Sequence, residues 1–244
     1  MMTEEPRVSV VLPVYNQADH IEEIVKNYLA VFDGLKDPLE IILVVNASRD
    51  ESLERCRLLE RSDSRVRVLH EEKAGWGRAV RAGLAASSGQ ILCYTNSART
   101  SPYTLALHIM LAAANPTLVI KANRRLRYPF VRRVGSVLYN FECRSLFDLP
   151  VWDVNGTPKL FGRNLLNRLN LKEDGDLIDL EFIVRCKQLR VQILEVPIVS
   201  SLRHSGESTT SFASAFKMYW GAFRMLRSLS GNTELDAGPE DSSS

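Results

Sequence analysis

The sequence predicts an α/β domain with a mostly parallel central sheet flanked by helices. Short runs rich in Val, Ile and Leu, at residues 8–13, 40–45, 66–69, 90–94 and 117–122, alternate with stretches long enough for helices. The runs at 8–13 and 40–45 are apolar almost throughout, the pattern of strands covered on both faces. Strands separated by helices in this way pair in parallel through right-handed crossovers.

Taken in order, residues 8–13 form a buried strand with only Ser9 polar. It feeds a helix at 19–32, with Asp19 as N-cap and Glu22 and Glu23 in the first turn, where acids suit the helix dipole. A second strand at 40–45 leads through a polar turn, 46–50, to a helix ending near Glu60. A short third strand covers 66–69. Gly75-Trp76-Gly77 opens a helix that stops near Ser88-Gly89. A fourth strand spans 90–94, and Ser101-Pro102 starts the next helix, with Pro near the first helical position. The fifth strand is 117–122. Beyond it the pattern loosens: a helix with a basic start at 132–146, a loop or short strand at 151–159, a helix at 164–169, an amphipathic helix at 179–189, and a strand at 191–196 ending at Pro197. A final helix at 212–228 carries Phe212, Phe216, Tyr219, Trp220 and Phe223. That aromatic set suits core packing, and Lys217, Arg224 and Arg227 also allow a place at a membrane interface.

Composition bounds the rest. The 244 residues are 45% hydrophobic and 25% charged, which excludes a disordered, collagenous or coiled-coil chain. No apolar run approaches the roughly 20 residues that cross a bilayer, and the acidic start lacks a signal-peptide core. Four cysteines without a CxxC fit small buried thiols in a reduced, cytoplasmic chain. The net charge of +2 hides a split. Residues 231–244 hold four acids and no Lys or Arg, so residues 1–230 set 31 basic against 25 acidic side chains, a net +6. With no internal repeat and no linker before residue 230, the expectation is one domain, 1–230, and a disordered acidic tail, 231–244. A mildly basic body suits an anionic ligand.

Ligands of open α/β sheets bind beyond the carboxyl ends of the strands. Three such ends are polar here: 13–17 (PVYNQ), 46–50 (NASRD) and 95–99 (TNSAR). Small polar side chains and turn amides of this kind bind bases, riboses and phosphates, although the same residues also make ordinary turns. Residues 121–133 hold six cations, Lys121, Arg124, Arg125, Arg127, Arg132 and Arg133, and no acid. Such a run fits a solvated loop, phosphate recognition or an anionic membrane face. No nucleic-acid-binding motif accompanies it, so nucleic acid is not an expected partner. His20, His70 and His108 read as surface or packing residues, and His204 as a possible phosphate contact. No His/Cys cluster has zinc spacing, and neither a P-loop nor a Gly-x-Ser-x-Gly elbow is present.

These motifs, in their order, resemble glycosyltransferase family 2, and most of all its polyprenyl-phosphate sugar synthases. Residues 9–17 (SVVLPVYNQ) resemble the opening strand and loop. Residues 40–50 (EIILVVNASRD) resemble the second strand and its Asp-Asp-Gly-Ser loop, and 75–84 (GWGRAVRAGL) the Gly-x-Gly helix start. Residues 89–102 resemble the strand bearing the metal-binding Asp-x-Asp. WDVNGTPKL, IDLEFIVRCKQL, EVPI and RHSGEST resemble the second half. The resemblance implies a single GT-A (Rossmann-like) domain, a nucleotide-diphospho-sugar donor and inverting transfer to an acceptor such as a polyprenyl phosphate. A lipid acceptor would place the chain at the inner face of a membrane as a peripheral protein. By the resemblance, Pro13, Tyr15, Gln17, Asn46, Ser48, Gly75, Gly77, Thr95, Asn96 and Ser97 line the donor site, with Gly75 and Gly77 letting the backbone approach the nucleotide. Asp153 is the catalytic carboxylate: general base towards a hydroxyl, or a charge-balancing group beside an acceptor that is already anionic. Glu181 shares its site, and Arg203 and Ser208, with Gly206 and Glu207, close over the phosphates. Arg99, Lys121, Arg124 and Arg132 are candidate phosphate or acceptor cations.

Three departures stand out. Gln17 replaces the usual Glu, Val45-Asn46 the Asp-Asp pair, and Thr95-Asn96-Ser97 the Asp-x-Asp. The family implies Mg²⁺ or Mn²⁺, hard ions that want anionic oxygens, and the ligand carboxylates are missing. Two readings follow: a transferase that neutralises its leaving group with fixed cations and so works without metal, or a binding or regulatory module that has lost catalysis. A sugar-nucleotide pyrophosphorylase ranks last, because residues 13–17 lack a Gly-rich, basic first loop. Sugar, base, acceptor and oligomeric state stay open.

Overall fold

The computed structural model describes residues 7–126, 130–199 and 220–225, with the side chains of 125–136 and 199 outside that description. The elements are β1 (Val8–Val14), α1 (Ile21–Phe32), β2 (Leu39–Asn46), α2 (Ser52–Ser62), β3 (Val66–Glu71), α3 (Trp76–Ala86), β4 (Ile91–Tyr94), α4 (Pro102–Ala114), β5 (Val119–Leu126), α5 (Phe130–Phe147), β6 (Lys159–Gly162), α6 (Arg163–Leu169), α7 (Ile178–Gln188) and β7 (Ile193–Val199). The strands form one seven-stranded sheet in the order β3-β2-β1-β4-β6-β5-β7. β6 runs antiparallel to both its neighbours, and every other pairing is parallel.

β1 and β2 are buried at every position, as their unbroken apolar runs require. Val10, Leu12, Ile41 and Leu43 pack with α1, α2 and α4, while Val11, Ile42 and Val44 pack on the other face with α3, α5, α6 and α7. In α1 the apolar residues Ile21, Ile24, Val25, Tyr28, Leu29 and Phe32 recur at helical spacing and are the buried ones. In α4, Ser101 caps the first turn by accepting from the Thr104 N–H, with Pro102 next to it as expected. The four cysteines are free and buried.

Several expectations change. Helix α1 starts at Ile21 behind His20, and no side chain caps it, so Asp19 is not the N-cap. The segment after Asp153 contains β6, only four residues long, which gains its pairing from β4 and β5 rather than from its own pattern. α7 is not amphipathic: Ile178 through Val184 are all buried, Asp179 and Glu181 included. β7 continues through Pro197 to Val199, which an edge strand permits because one side of its backbone needs no ladder bond. The acidic tail and most of the final aromatic helix lie outside the described residues; within it, 220–225 is helical, with Ala222 and Met225 in the core.

Two consequences position a site. Since β2, β1 and β4 are parallel neighbours, the three polar strand ends meet at one rim. In addition, Tyr94 is in register with Lys159, Lys159 with Lys121, and Lys121 with Glu195, so a row of polar side chains crosses the sheet just below that rim.

Candidate active site

Side chain to backbone hydrogen bonds lace the rim loops together. Asn16 turns the chain out of β1 at φ 48°; its N–H donates to Ser48 Oγ at 3.0 Å and its Oδ1 accepts from Arg49 N–H at 2.9 Å. The Gln17 N–H donates to Ser52 Oγ at 2.8 Å, and the Ala18 N–H to Asp50 at 3.0 Å. Burial raises the Asp50 carboxyl, but bonds from the Ser52 hydroxyl and from the Ala18 and Ser52 amides outweigh it and leave the group below the ordinary carboxylate range. Ser97 Oγ donates to Gln17 Oε1 at 2.9 Å, joining the β4 loop to the β1 loop. The Thr95 and Thr100 hydroxyls share a 2.7 Å bond, and the Asn96 carbonyl accepts from the Arg99 and Thr100 amides at 3.1 Å, closing a tight turn. Tyr15 projects from this rim with 41% exposure, and Asn46 is buried with its amide on the Gly75 carbonyl at 3.2 Å.

The Gly75–Gly77 turn is filled from within. Gly75 has φ +153°, a conformation that side chains rarely adopt, and a Cβ there would press into the Asp174 carbonyl; at Gly77 it would press into that of Glu173. The Gly77 and Arg78 N–H groups donate to the Gly175 and Asp174 carbonyls at 3.2 and 3.0 Å. Glu181, 4% exposed, braces that loop by accepting the Lys172 and Glu173 amides at 2.9–3.0 Å. The close approach expected of a nucleotide is therefore made by residues 173–175, and Glu181 supports that loop instead of facing an acceptor.

On the other side of the rim, Asp153 is 4% exposed and gripped by Arg124. The guanidinium Nε and Nη2 reach its two oxygens at 2.6 Å each, and the Arg124 N–H adds a third bond at 3.0 Å. Lys121, expected among the phosphate-facing cations, is sealed in the sheet with no exposure. Its Nζ donates to Glu195 Oε1 at 2.8 Å and to the carbonyls of Asp153 (2.6 Å) and Ala122 (2.9 Å), which leaves it no donor for a ligand. Burial lowers its ammonium below the usual lysine value, and the Glu195 and Asp153 charges offset this only in part. Next to it, the fully buried Lys159 pairs with Asp179, which also accepts from the Tyr94 hydroxyl at 3.0 Å. Burial brings Lys159 down to about 8 despite that carboxylate.

With the fold and rim in view, the likeness to known proteins is specific. The glycosyl transferase family 2 profile matches residues 9–169. The chain belongs to glycosyl transferase family 2. Among its relatives, an undecaprenyl-phosphate 4-deoxy-4-formamido-L-arabinose transferase of Edwardsiella ictaluri is 35% identical over 205 residues, 82% of this chain and 62% of the relative. A dolichol-phosphate mannosyltransferase of Pyrococcus furiosus is 23% identical over 235 residues, 91% of this chain and 64% of the relative. The chain thus spans under two thirds of the length of these relatives. The solved glucosyl-3-phosphoglycerate synthase of Mycobacterium tuberculosis, a complex with Mn²⁺, UDP and phosphoglyceric acid, superposes with a TM-score of 0.71 at 19% identity, covering 97% of this chain and 80% of that one. The fold is GT-A, as the resemblance implied.

In this family member the β4 turn does not fit the family's divalent ion. Thr95, Asn96 and Ser97 offer two hydroxyls and an amide, and both hydroxyls are already bonded to Thr100 and Gln17. Among the described residues, no group of three or more His, Cys, Asp or Glu is placed to hold a metal ion. Of the remaining candidates, Pro13 is buried in β1, Ser48 is half-buried at the rim and Arg99 is half-buried in the β4 loop. The Arg132 side chain, and Arg203, His204 and Ser208, lie outside the described residues. Sequence reasoning missed Lys159, Asp179 and Glu195. The signal was there: a lone charge inside an apolar strand or helix must find a buried partner.

Proposed function

We propose that this chain transfers a sugar, with inversion, from a nucleotide-diphospho-sugar to an acceptor that is already anionic, a polyprenyl phosphate in the first instance. The Arg124 fork on Asp153 carries this reading. A hydroxyl acceptor needs a base to take its proton, and a carboxylate with both oxygens on a guanidinium is a poor base. A phosphate oxygen needs none: it attacks the anomeric carbon as the bond from that carbon to the nucleoside diphosphate oxygen breaks, and the diphosphate leaves with the electron pair. Asp153 then holds the Arg124 guanidinium in place, and that cation orients the anionic acceptor. Pro13, Tyr15, Gln17, Asn46, Ser48, Thr95, Asn96 and Ser97 line the donor side. With no carboxylates in the β4 turn, the charge that develops on the leaving group falls to Arg99, Arg132, Arg203 and Ser208, the phosphate candidates of the sequence.

A lipid acceptor is supported by the surface beside Asp153. Trp152 is 64% exposed, with the Arg144 guanidinium 4.0 Å over its ring. Arg144 shares a face of α5 with Val137 and Phe141, which are 59% and 69% exposed. No described helix is long and apolar enough to cross a bilayer.

Titration calorimetry with UDP, GDP and their sugar conjugates, with and without Mn²⁺ or Mg²⁺, tests the donor side, and binding without metal is expected. Transfer to undecaprenyl phosphate in detergent tests the acceptor side. Asp153→Ala should lower that rate roughly 100-fold, the scale at which a misplaced reacting group is felt. Nucleotide binding with no transfer to any phosphate acceptor would instead favour a binding module that has lost catalysis.

A further inference from the structure

We infer that Lys121 and Glu195 are positioning residues, an ion pair between a buried lysine and a part-buried glutamate that holds the backbone on both sides of Asp153 and so fixes where its carboxylate stands. The inference rests on the transfer reaction proposed above. Lys121 and Glu195 are register partners on the parallel strands β5 and β7. Glu195 gives both carboxylate oxygens to one loop: Oε2 accepts the Trp152 N–H at 2.8 Å, and Oε1 accepts the Asp153 N–H at 3.1 Å together with Lys121 Nζ. Lys121 holds the other side of the same residue through the Asp153 carbonyl at 2.6 Å. The loop then closes on itself, the Gly156 N–H donating to that carbonyl at 3.1 Å. A Cβ at Gly156 would press into the Ala122 carbonyl on β5, so the turn lies flat against the strand that carries Lys121.

An ion pair is a poor way merely to join two strands. Burying two charges costs more solvation than a well-packed apolar pair of similar volume, which serves cohesion as well or better. An apolar pair cannot, however, accept two loop amides and donate to a loop carbonyl. The neighbouring Lys159 has its own carboxylate in Asp179, so Glu195 is not shared between the two lysines. The distinctive product of the Lys121–Glu195 pair is a fixed peptide at residues 152–153. That fixed peptide sets the Asp153 carboxylate against Arg124.

The double variant Lys121→Met/Glu195→Gln removes both charges together and avoids stranding one of them. In amide hydrogen exchange, Trp152 and Asp153 should exchange at least tenfold faster than in the wild type, while the β6 amides stay protected. UDP affinity and donor KM should stay within about twofold, and kcat for transfer to undecaprenyl phosphate should fall tenfold or more. Glu195→Asp, which keeps the charge beside Lys121 but shortens its reach to the Trp152 and Asp153 amides, gives a second route should the double variant fold poorly, with the same direction in both measurements. Unchanged exchange at 152 and 153 overturns the clamp. Faster exchange with unchanged kcat overturns the positioning role and leaves a purely structural pair. A wild-type chain that transfers nothing overturns the transfer reaction and the positioning role with it, while the exchange result still decides the clamp.

Discussion

Where the β1 and β4 loops meet, Ser97 and Gln17 share a neutral hydrogen bond of 2.9 Å; two strands away, Arg124 and Asp153 share a charged fork at 2.6 Å. The side of the rim proposed for the donor holds itself with hydroxyls, amides, backbone groups and one carboxylate, that of Asp50. The side proposed for the acceptor rests on two ion pairs, Lys121 with the part-buried Glu195 and Lys159 with the buried Asp179. The two solutions differ in what half a change would do. At a neutral bond such as that of Ser97 to Gln17, the loss costs about 1 kcal/mol. At the charged side the loss of one partner strands a charge in a medium that solvates it badly.

Lys159 gives the largest test of that contrast. Lys159→Met leaves the Asp179 carboxylate buried with, among the described residues, the Tyr94 hydroxyl as its side-chain partner, and should cost about 3–5 kcal/mol in urea unfolding. Adding Asp179→Asn should recover most of it. A single-variant cost below about 1 kcal/mol would break the comparison. The same residue has a pH signature. Burial holds the folded Lys159 near 8, below its ordinary value of 10.5, so between those values the unfolded chain binds the proton that the folded chain has released. The stability contributed by Lys159 should therefore rise as pH climbs from about 8 to 10.5, and that rise should vanish in Lys159→Met.

A smaller effect is expected at the donor side. Gln17→Glu with Ser97→Asp restores two of the acids that the resemblance implies and places two like charges where a 2.9 Å hydrogen bond now stands. Without metal the double variant should lose about 1–2 kcal/mol, or roughly 2–8 °C in Tm for a chain of this size. Millimolar Mn²⁺ should restore it and leave the wild type unmoved. Ser97→Asp alone should be nearly silent, since the Gln17 amide can turn its NH₂ towards the new carboxylate. Melts that ignore Mn²⁺ in the double variant would mean that this turn is not the family's metal turn.

The comparison also explains what the residues disclosed in advance. The order of strands and helices was legible through β5, because β1 and β2 are apolar at nearly every position and the helices between them are periodic. β6 was not, since four residues with Lys159 at their head have no pattern of their own until β4 and β5 flank them. At the site, the meeting of residues 13–17, 46–50 and 95–99 followed from strand order alone. The use of Gly75 and Gly77 did not, because the loop that fills them, 173–175, lies almost a hundred residues away. Lys121 misled for a related reason. Six cations in one run look like a surface, but pairing with Glu195 decides which of them turns inward, and a run of charge holds no record of its partner.

The finest contrast lies within the same rim, between two residues of nearly equal φ. Asn16 leaves β1 at φ 48° and Ala47 leaves β2 at φ 50°, both in the left-handed region. Asn tolerates that region, and Asn16 uses its side chain to accept the Arg49 amide at 2.9 Å. Ala47 has no such return; it stands where the family's Asp-Asp-Gly-Ser loop has Gly, with its N–H held by the Glu71 carbonyl at 2.9 Å. An L-residue in this region costs roughly 1–2 kcal/mol, and replacing it with Gly returns part of that to greater freedom of the unfolded chain. Ala47→Gly should therefore stabilise by about 0.5 kcal/mol, read as a higher urea midpoint at unchanged slope. Asn16→Gly should do the opposite and lower the midpoint, because the same relief comes with the loss of the Arg49 bond. Opposite signs at two residues of equal φ would show that side-chain lacing, and not backbone shape, holds this rim; equal signs would show that the lacing adds nothing to it.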